Sequence, residues 1–144
     1  MTRSPRAEAF VKSFEKLRLH AYLPTPNDKP TIGWGQTGPS IKLGMVWTAE
    51  QADAAFDATA KKIEARLSKA LYGIPTTQGQ FDALFSFAYN VGVDAALGST
   101  LFRLHKAGKY AAAAEQFGNW IYQAKKPLRG LIRRRAGERA LYLG

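Results

Sequence analysis

The stretch Gln80-Phe-Asp-Ala-Leu-Phe-Ser-Phe-Ala-Tyr89 is apolar almost all the way round a helix, with Phe81, Leu84, Phe85 and Ala88 recurring at three- and four-residue steps. A helix with so little polar surface must be wrapped by the rest of the chain, so it is expected to be the buried centre of the fold. Covering helices are legible on either side. From Arg6 to Leu19 the residues Ala7, Phe10, Val11, Phe14 and Leu17 recur at helical spacing behind Pro5, which suits a first helical turn. Thr48-Ala-Glu50-Gln51 supplies an N-cap with an acid in the first turn. It opens a helix to about Leu71 with Ala52, Ala55, Phe56, Ala60, Ile63 and Leu67 inward. Gly73 and Pro75 end that helix, and Thr76 or Thr77 caps the central one. Beyond it, Gly92, Gly98 and Gly108 punctuate shorter helices, Tyr110 to Phe117 is Ala-rich, and Leu128 to Leu143 reads as a basic C-terminal helix.

Residues 20 to 47 break this pattern. They are rich in Pro, Gly, Thr and aromatics, with β-favouring patches at Ala21-Tyr-Leu, Thr31-Ile-Gly-Trp-Gly and Ile41 to Trp47, which predict a small antiparallel sheet with tight turns. The expected class is therefore α+β. A single domain over residues 1–144 combines a sheet lobe at about 20–47 with a larger helical lobe at about 48–144 and the N-terminal helix, leaving a cleft where the lobes meet.

Composition narrows the chemistry. With no Cys, neither thiolate catalysis nor a Cys-based zinc site is open, and His20 and His105 cannot by themselves make a metal centre, so no metal or cofactor is expected. Both histidines read as surface or packing residues. The start of the chain lacks an apolar run of signal-peptide length, and no segment reaches the ~20 apolar residues of a membrane span, so a soluble chain is expected. Its net charge is +10 and uneven: residues 103–144 hold ten Lys or Arg against Glu115 and Glu138. Such a basic segment can attract nucleic acid, anionic lipid or an acidic glycan, and charge alone does not separate them.

The residues with the clearest chemical layout are Glu15 and Thr31-Ile32-Gly33-Trp34-Gly35. A carboxylate near a helix C-terminus faces an unfavourable dipole, which favours the protonated carboxyl that a general acid needs. The segment from Glu15 through Tyr22, Asp28 and Thr31 to Thr37 resembles the active-site signature of phage endolysins of the lysozyme-like muramidase family, the glycoside hydrolase family 24 type. Gln80 to Gly92 with Ser99-Thr100-Leu101, and then Gly130 to Tyr142, resemble the family's later blocks in the same order. Three ordered blocks over nearly the whole chain are far more specific than one short pattern.

The resemblance implies a lysozyme-like fold and hydrolysis of the β-1,4 bond between N-acetylmuramic acid and N-acetylglucosamine. Glu15 is the implied acid. The family's second acidic residue stands nine positions after that Glu and six before the Thr, where this chain has Pro24 and Thr25. Asp28 is the nearest carboxylate, and it stands equally as a base carried on a longer, Pro-stiffened loop or as a turn former. Thr31 is implied to hold a water or orient the second carboxylate. For sugar contacts the aromatic candidates are Tyr22, Trp34 and Trp47, with Trp34 favoured for the cleft, and the resemblance adds Asn90, Ser99, Thr100 and Arg135. The blander readings are core packing for the aromatics, helix capping for Ser99 and Thr100, and helix-surface pairing with Glu138 for Arg134 and Arg135. The resemblance points Arg135 at the catalytic Glu.

As an endolysin the chain would act as a monomer on peptidoglycan glycan strands, moving from host cytoplasm to periplasm or cell wall with a holin to open the membrane. A lytic transglycosylase, in which Glu15 alone serves as acid and then base, is the alternative on the same bond. From another class stands a basic protein binding nucleic acid or anionic membrane through its C-terminal helix, although no recognition module accompanies the charge.

Overall fold

The computed structural model describes residues 1–144, and these fall into two compact units, one of Met1–Val11 with Ile63–Gly144 and the other of Lys12–Lys62. The elements are α1 (Pro5–Glu15), β1 (Arg18–Tyr22), β2 (Thr31–Gly33), α2 (Ala49–Ala70), α3 (Gln78–Val91), α4 (Val93–Leu97), α5 (Thr100–Lys106), α6 (Tyr110–Gln116), β3 (Tyr122–Gln123), β4 (Lys126–Pro127) and α7 (Arg129–Leu143), with a 3-10 turn at Phe117–Asn119. The class is α+β, as expected. No helix is long and apolar enough to cross a membrane.

In the Lys12–Lys62 unit, α1 stops sooner than its apolar repeat suggests. Lys16 adopts φ of 56°, which turns the chain out of the helix just after Glu15. Leu17 and Leu19 consequently lie exposed instead of continuing the helical stripe. β1 and β2 pair antiparallel, Arg18 with Gly33 and Tyr22 with Thr31, with an irregularity between these pairs. Ile41 to Trp47 does not form the expected strand. It is a run of turns touching β1 through an isolated bridge, His20 to Val46, with the Ala21 N–H on the Met45 carbonyl at 3.0 Å and the Trp47 N–H on the Leu19 carbonyl at 2.8 Å. Gly44, at φ of +94°, bends that run before it can pair along its length. Thr48 caps α2 reciprocally with Gln51: its Oγ1 accepts the Gln51 N–H at 3.1 Å, and Gln51 Oε1 accepts the Thr48 N–H at 2.8 Å. Ile32, Ala52, Phe56 and Ala60 form this unit's core.

In the other unit, α3 is the buried centre, with every residue from Gly79 to Ala88 shielded from solvent. Thr77 is its N-cap in a full capping box with Gln80. Ser4 starts α1 in the same manner, its Oγ accepting the Ala7 N–H at 3.2 Å. The buried Asp82 of α3 anchors that cap, accepting the Ser4 N–H at 3.0 Å and the Gln78 Nε2–H at 2.8 Å. α7 lies close on α3, where a Cβ at Gly79 would collide with the Leu141 carbonyl, and close on Phe10 of α1, whose ring would stand 2.5 Å from a Cβ at Gly137. That closeness buries charge. Arg134, Arg135 and Glu138 are only 3%, 1% and 0% exposed, so the surface pairing expected for them is replaced by a buried cluster. The helical repeat carries no signal of this, because α3 offers polar groups at Ser86 and Asn90 that make the burial tolerable. The β3–β4 hairpin is a further element that the sequence did not announce. Its two turn residues, Ala124 and Lys125, stand at φ of 51° and 68° without the Asn or Gly that usually marks such a turn.

Candidate active site

Glu15 is the last residue of α1 and is half-buried. Ahead of it in the same unit, Ile32 and Gln36 close a small loop by exchanging two backbone hydrogen bonds, Ile32 N–H to the Gln36 carbonyl at 3.0 Å and Gln36 N–H to the Ile32 carbonyl at 2.9 Å. The loop is Gly33-Trp34-Gly35. Gly33 and Gly35 have φ of +70° and +89°, conformations that cost an L-residue its usual sterics. Space requires them as well. A Cβ on Gly33 would lie 2.8 Å from both Gln36 Oε1 and the Trp47 ring, and a Cβ on Gly35 would lie 2.5 Å from Glu15 Oε2. The Glu15 carboxylate thus rests against bare backbone, and the helix end and the glycine loop that the sequence set side by side do meet.

Trp34 is held from several directions. Its backbone N–H donates to Gln36 Oε1 at 2.7 Å, its indole Nε1–H donates to Asp53 Oδ1 at 2.8 Å, and Lys12 Nζ lies 5.0 Å from its ring centre. Lys12 in turn pairs with Asp53 at 3.3 Å. The indole N–H and then the Lys12 ammonium hold the Asp53 carboxyl below its ordinary pKa, keeping it ionised and able to accept. Lys12, Gln36 and Asp53 were not singled out from the sequence. Asp53 stands 19 residues from Trp34 and 41 from Lys12, pairings that leave no local trace, while Gln36 lies two residues from Trp34 beside the motif; only the Gly-aromatic-Gly spacing pointed to this place.

Thr31 is buried, and its hydroxyl donates to the Lys29 carbonyl at 3.0 Å. Asp28 is exposed in a turn in which its own N–H donates to the Thr25 carbonyl and its Oδ1 accepts the Lys29 N–H at 2.9 Å. Tyr22 is half-buried on β1 beneath the Arg18 guanidinium, 4.8 Å from its ring centre.

The remaining expected site residues belong to the helical unit. Asn90 is exposed near the end of α3, and its Oδ1 accepts from Arg135 Nη2 at 2.7 Å. The ion partner of Arg135 is Glu138, at 2.7 Å, with its guanidinium also 5.1 Å from the centre of the Phe87 ring. Burial pushes the Glu138 carboxyl upward in pKa, against the pull of the two guanidiniums and of the Ser86 hydroxyl, which donates to it at 2.6 Å. Ser99 spends its hydroxyl on capping α5, accepting the Phe102 N–H at 3.1 Å and donating to the Ala96 carbonyl at 2.7 Å. Thr100 is exposed as the first residue of that helix.

The family model for phage lysozyme matches residues 12–138. The endolysin of Bacillus phage PZA is 41% identical over 133 residues, which are 92% of this chain and 51% of that protein, so the chain spans about half the length of that relative. Among solved structures, an endolysin from Escherichia coli O157:H7 phage FAHEc1 superposes with a TM-score of 0.85 at 37% identity, covering 99% of this chain and 94% of that one. The muramidase domain of SpmX from Asticaccaulis excentricus gives a TM-score of 0.86 at 36% identity, covering 98% and 97%.

Proposed function

The chain belongs to the phage lysozyme family and has its lysozyme-like fold, and from that premise we propose that it is an endolysin-type muramidase with Glu15 as its acid. It hydrolyses the β-1,4 bond between N-acetylmuramic acid and N-acetylglucosamine in peptidoglycan. The observation that carries this reading is the Glu15 carboxylate resting on the Gly35 backbone, inside a loop closed by Ile32 and Gln36. Acid catalysis needs a carboxyl whose position is fixed before the substrate arrives. Gly35 leaves the room the carboxylate occupies, and Gly33 lets the loop close against Gln36 and Trp47.

In the proposed reaction Glu15 passes its proton to the bridging oxygen as the glycosidic bond breaks, and a water supplies hydroxide to the sugar carbon. Thr31, its own proton committed to the Lys29 carbonyl, has oxygen lone pairs left to accept from that water. Asp28 receives the water's proton. Trp34, with its edge fixed by Asp53, offers a ring to a sugar, and Tyr22, Asn90 and Thr100 supply further polar contacts. Arg135 acts on Asn90 by holding its amide oxygen, which leaves the amide nitrogen to donate to a sugar. The protein works on glycan strands as a monomer, reaching the wall from the host cytoplasm once a holin has opened the membrane.

One observation favours a second reading. Asp28 sits in a hydrogen-bonded turn with Oδ1 on the Lys29 N–H, as a turn former would. A lytic transglycosylase, with Glu15 as acid and then base, dispenses with Asp28. Mass spectrometry of digested walls separates the two: reducing muramic ends are expected, whereas anhydro-muramic ends would establish transglycosylation. Asp28→Asn completes the test. A rate lower by orders of magnitude with unchanged substrate affinity is the outcome expected of a base.

A further inference from the structure

Two depressions on the helical unit adjoin. One, of about 590 Å³, is floored by Ala65, Ala70 and Leu97 between Arg66 and Lys69. The other, of about 310 Å³, shares Leu97 and continues over Phe102 between Arg103 and Lys106. The shared leucine joins them into one trough spanning the end of α2, α4 and α5. Its floor is apolar at the Ala65 end and also holds Gly98 and Ser99 between Leu97 and Phe102, and its rim carries four cations. Asp94 pairs with Arg66 at 2.6 Å and Glu64 is taken up by Arg3, so Lys69, Arg103 and Lys106 leave the rim with a positive excess.

Long cationic side chains can lay their methylenes along apolar surface while their charges reach solvent, and Lys106 stands at the Phe102 end of the trough with its Nζ over the ring, 6.0 Å from its centre. Tyr72, three residues past Lys69, is 90% exposed. An aromatic ring with a polar tip suits a boundary between water and hydrocarbon.

We propose that this trough binds the surface of an anionic phospholipid bilayer. The phosphates lie against Arg66, Lys69, Arg103 and Lys106, and the glycerol and upper acyl carbons enter over Leu97 and Phe102. Charge complementarity requires an anionic occupant, and the apolar floor decides which kind. A glycan or nucleic acid offers only sugar C–H faces and scattered methyl groups to Leu97 and the two alanines, while a lipid brings phosphate joined to continuous hydrocarbon. The trough residues and the Glu15 loop belong to different units, and occupancy of the trough does not depend on the reaction proposed for that loop.

The test is sedimentation of the full chain with phosphatidylcholine vesicles, with and without phosphatidylglycerol. The parent is expected to bind only the anionic vesicles. Lys69→Gln with Arg103→Gln and Lys106→Gln, all exposed positions, is expected to weaken that binding about tenfold or more. Ala65→Gln, which fills the floor and changes no charge, is expected to weaken it clearly as well. Circular dichroism verifies that each variant is folded. The rival basic face is removed by Lys125→Gln with Lys126→Gln and Arg129→Gln, an equal loss of charge expected to cost far less. The proposal is overturned if the rival set costs as much as the trough set, if Ala65→Gln binds like the parent, or if the parent binds neutral vesicles equally or no vesicles.

Discussion

A methyl group added to Gly35 would meet the Glu15 carboxylate at 2.5 Å, in a backbone conformation of φ +89° that L-residues avoid. Gly35→Ala is therefore expected to destabilise the protein by about 1–2 kcal/mol through backbone strain alone. It should also lower glycan cleavage more than tenfold by displacing Glu15, as seen by comparing melting temperature with turnover. Stability lost with turnover intact would separate the glycine from the acid. This residue-level site was half legible in the sequence. The two glycines and Glu15 announced themselves by spacing, but the Asp53–Lys12–Trp34 arrangement did not, since pairings across the fold leave no periodicity to read. Arg135 illustrates the other limit: an Arg and a Glu three apart on a helix look like a surface pair, and only the approach of α7 to α3 turns them into a buried one.

At the level of elements, long helices were readable because caps and apolar stripes reinforce each other. Thr48 with Gln51 and Thr77 with Gln80 mark two helix starts, and the solid apolar run of α3 is the buried centre it was expected to be. The short β elements were not. Ile41 to Trp47 is β-favouring in composition but bends at Gly44, and the β3–β4 hairpin uses Ala124 and Lys125 where Asn-Gly would fit without strain. Ala124→Asn with Lys125→Gly is accordingly expected to raise stability by about 1–2 kcal/mol, by relieving two left-handed residues. Chemical denaturation measures it. An unchanged or lower midpoint would show that the hairpin does not carry that strain.

For the molecule as a whole, stability should depend on pH through His105, which is fully buried with Nδ1 2.7 Å from the Tyr142 hydroxyl and Nε2 2.9 Å from Thr76 Oγ1. Burial lowers its pKa below the ordinary 6.5. The unfolded chain then takes up a proton before the folded one does, so this contribution is intact above pH 6.5 and lost as pH falls toward the folded value. Glu138, raised by burial, slopes the opposite way above its ordinary 4.5. The comparison of parent with His105→Gln isolates the histidine: the parent's melting temperature should fall more steeply from pH 7 to pH 5. Equal slopes would remove His105 from the account.

The central claim is that Glu15 is the acid of a muramidase, and substitution of that one proton donor tests it most directly. Glu15→Gln keeps the volume and removes the transferable proton. Release of reducing ends from purified peptidoglycan should fall to background in a variant whose melting curve matches the parent's. A folded Glu15→Gln protein that still releases reducing ends at the parent's rate would contradict the account.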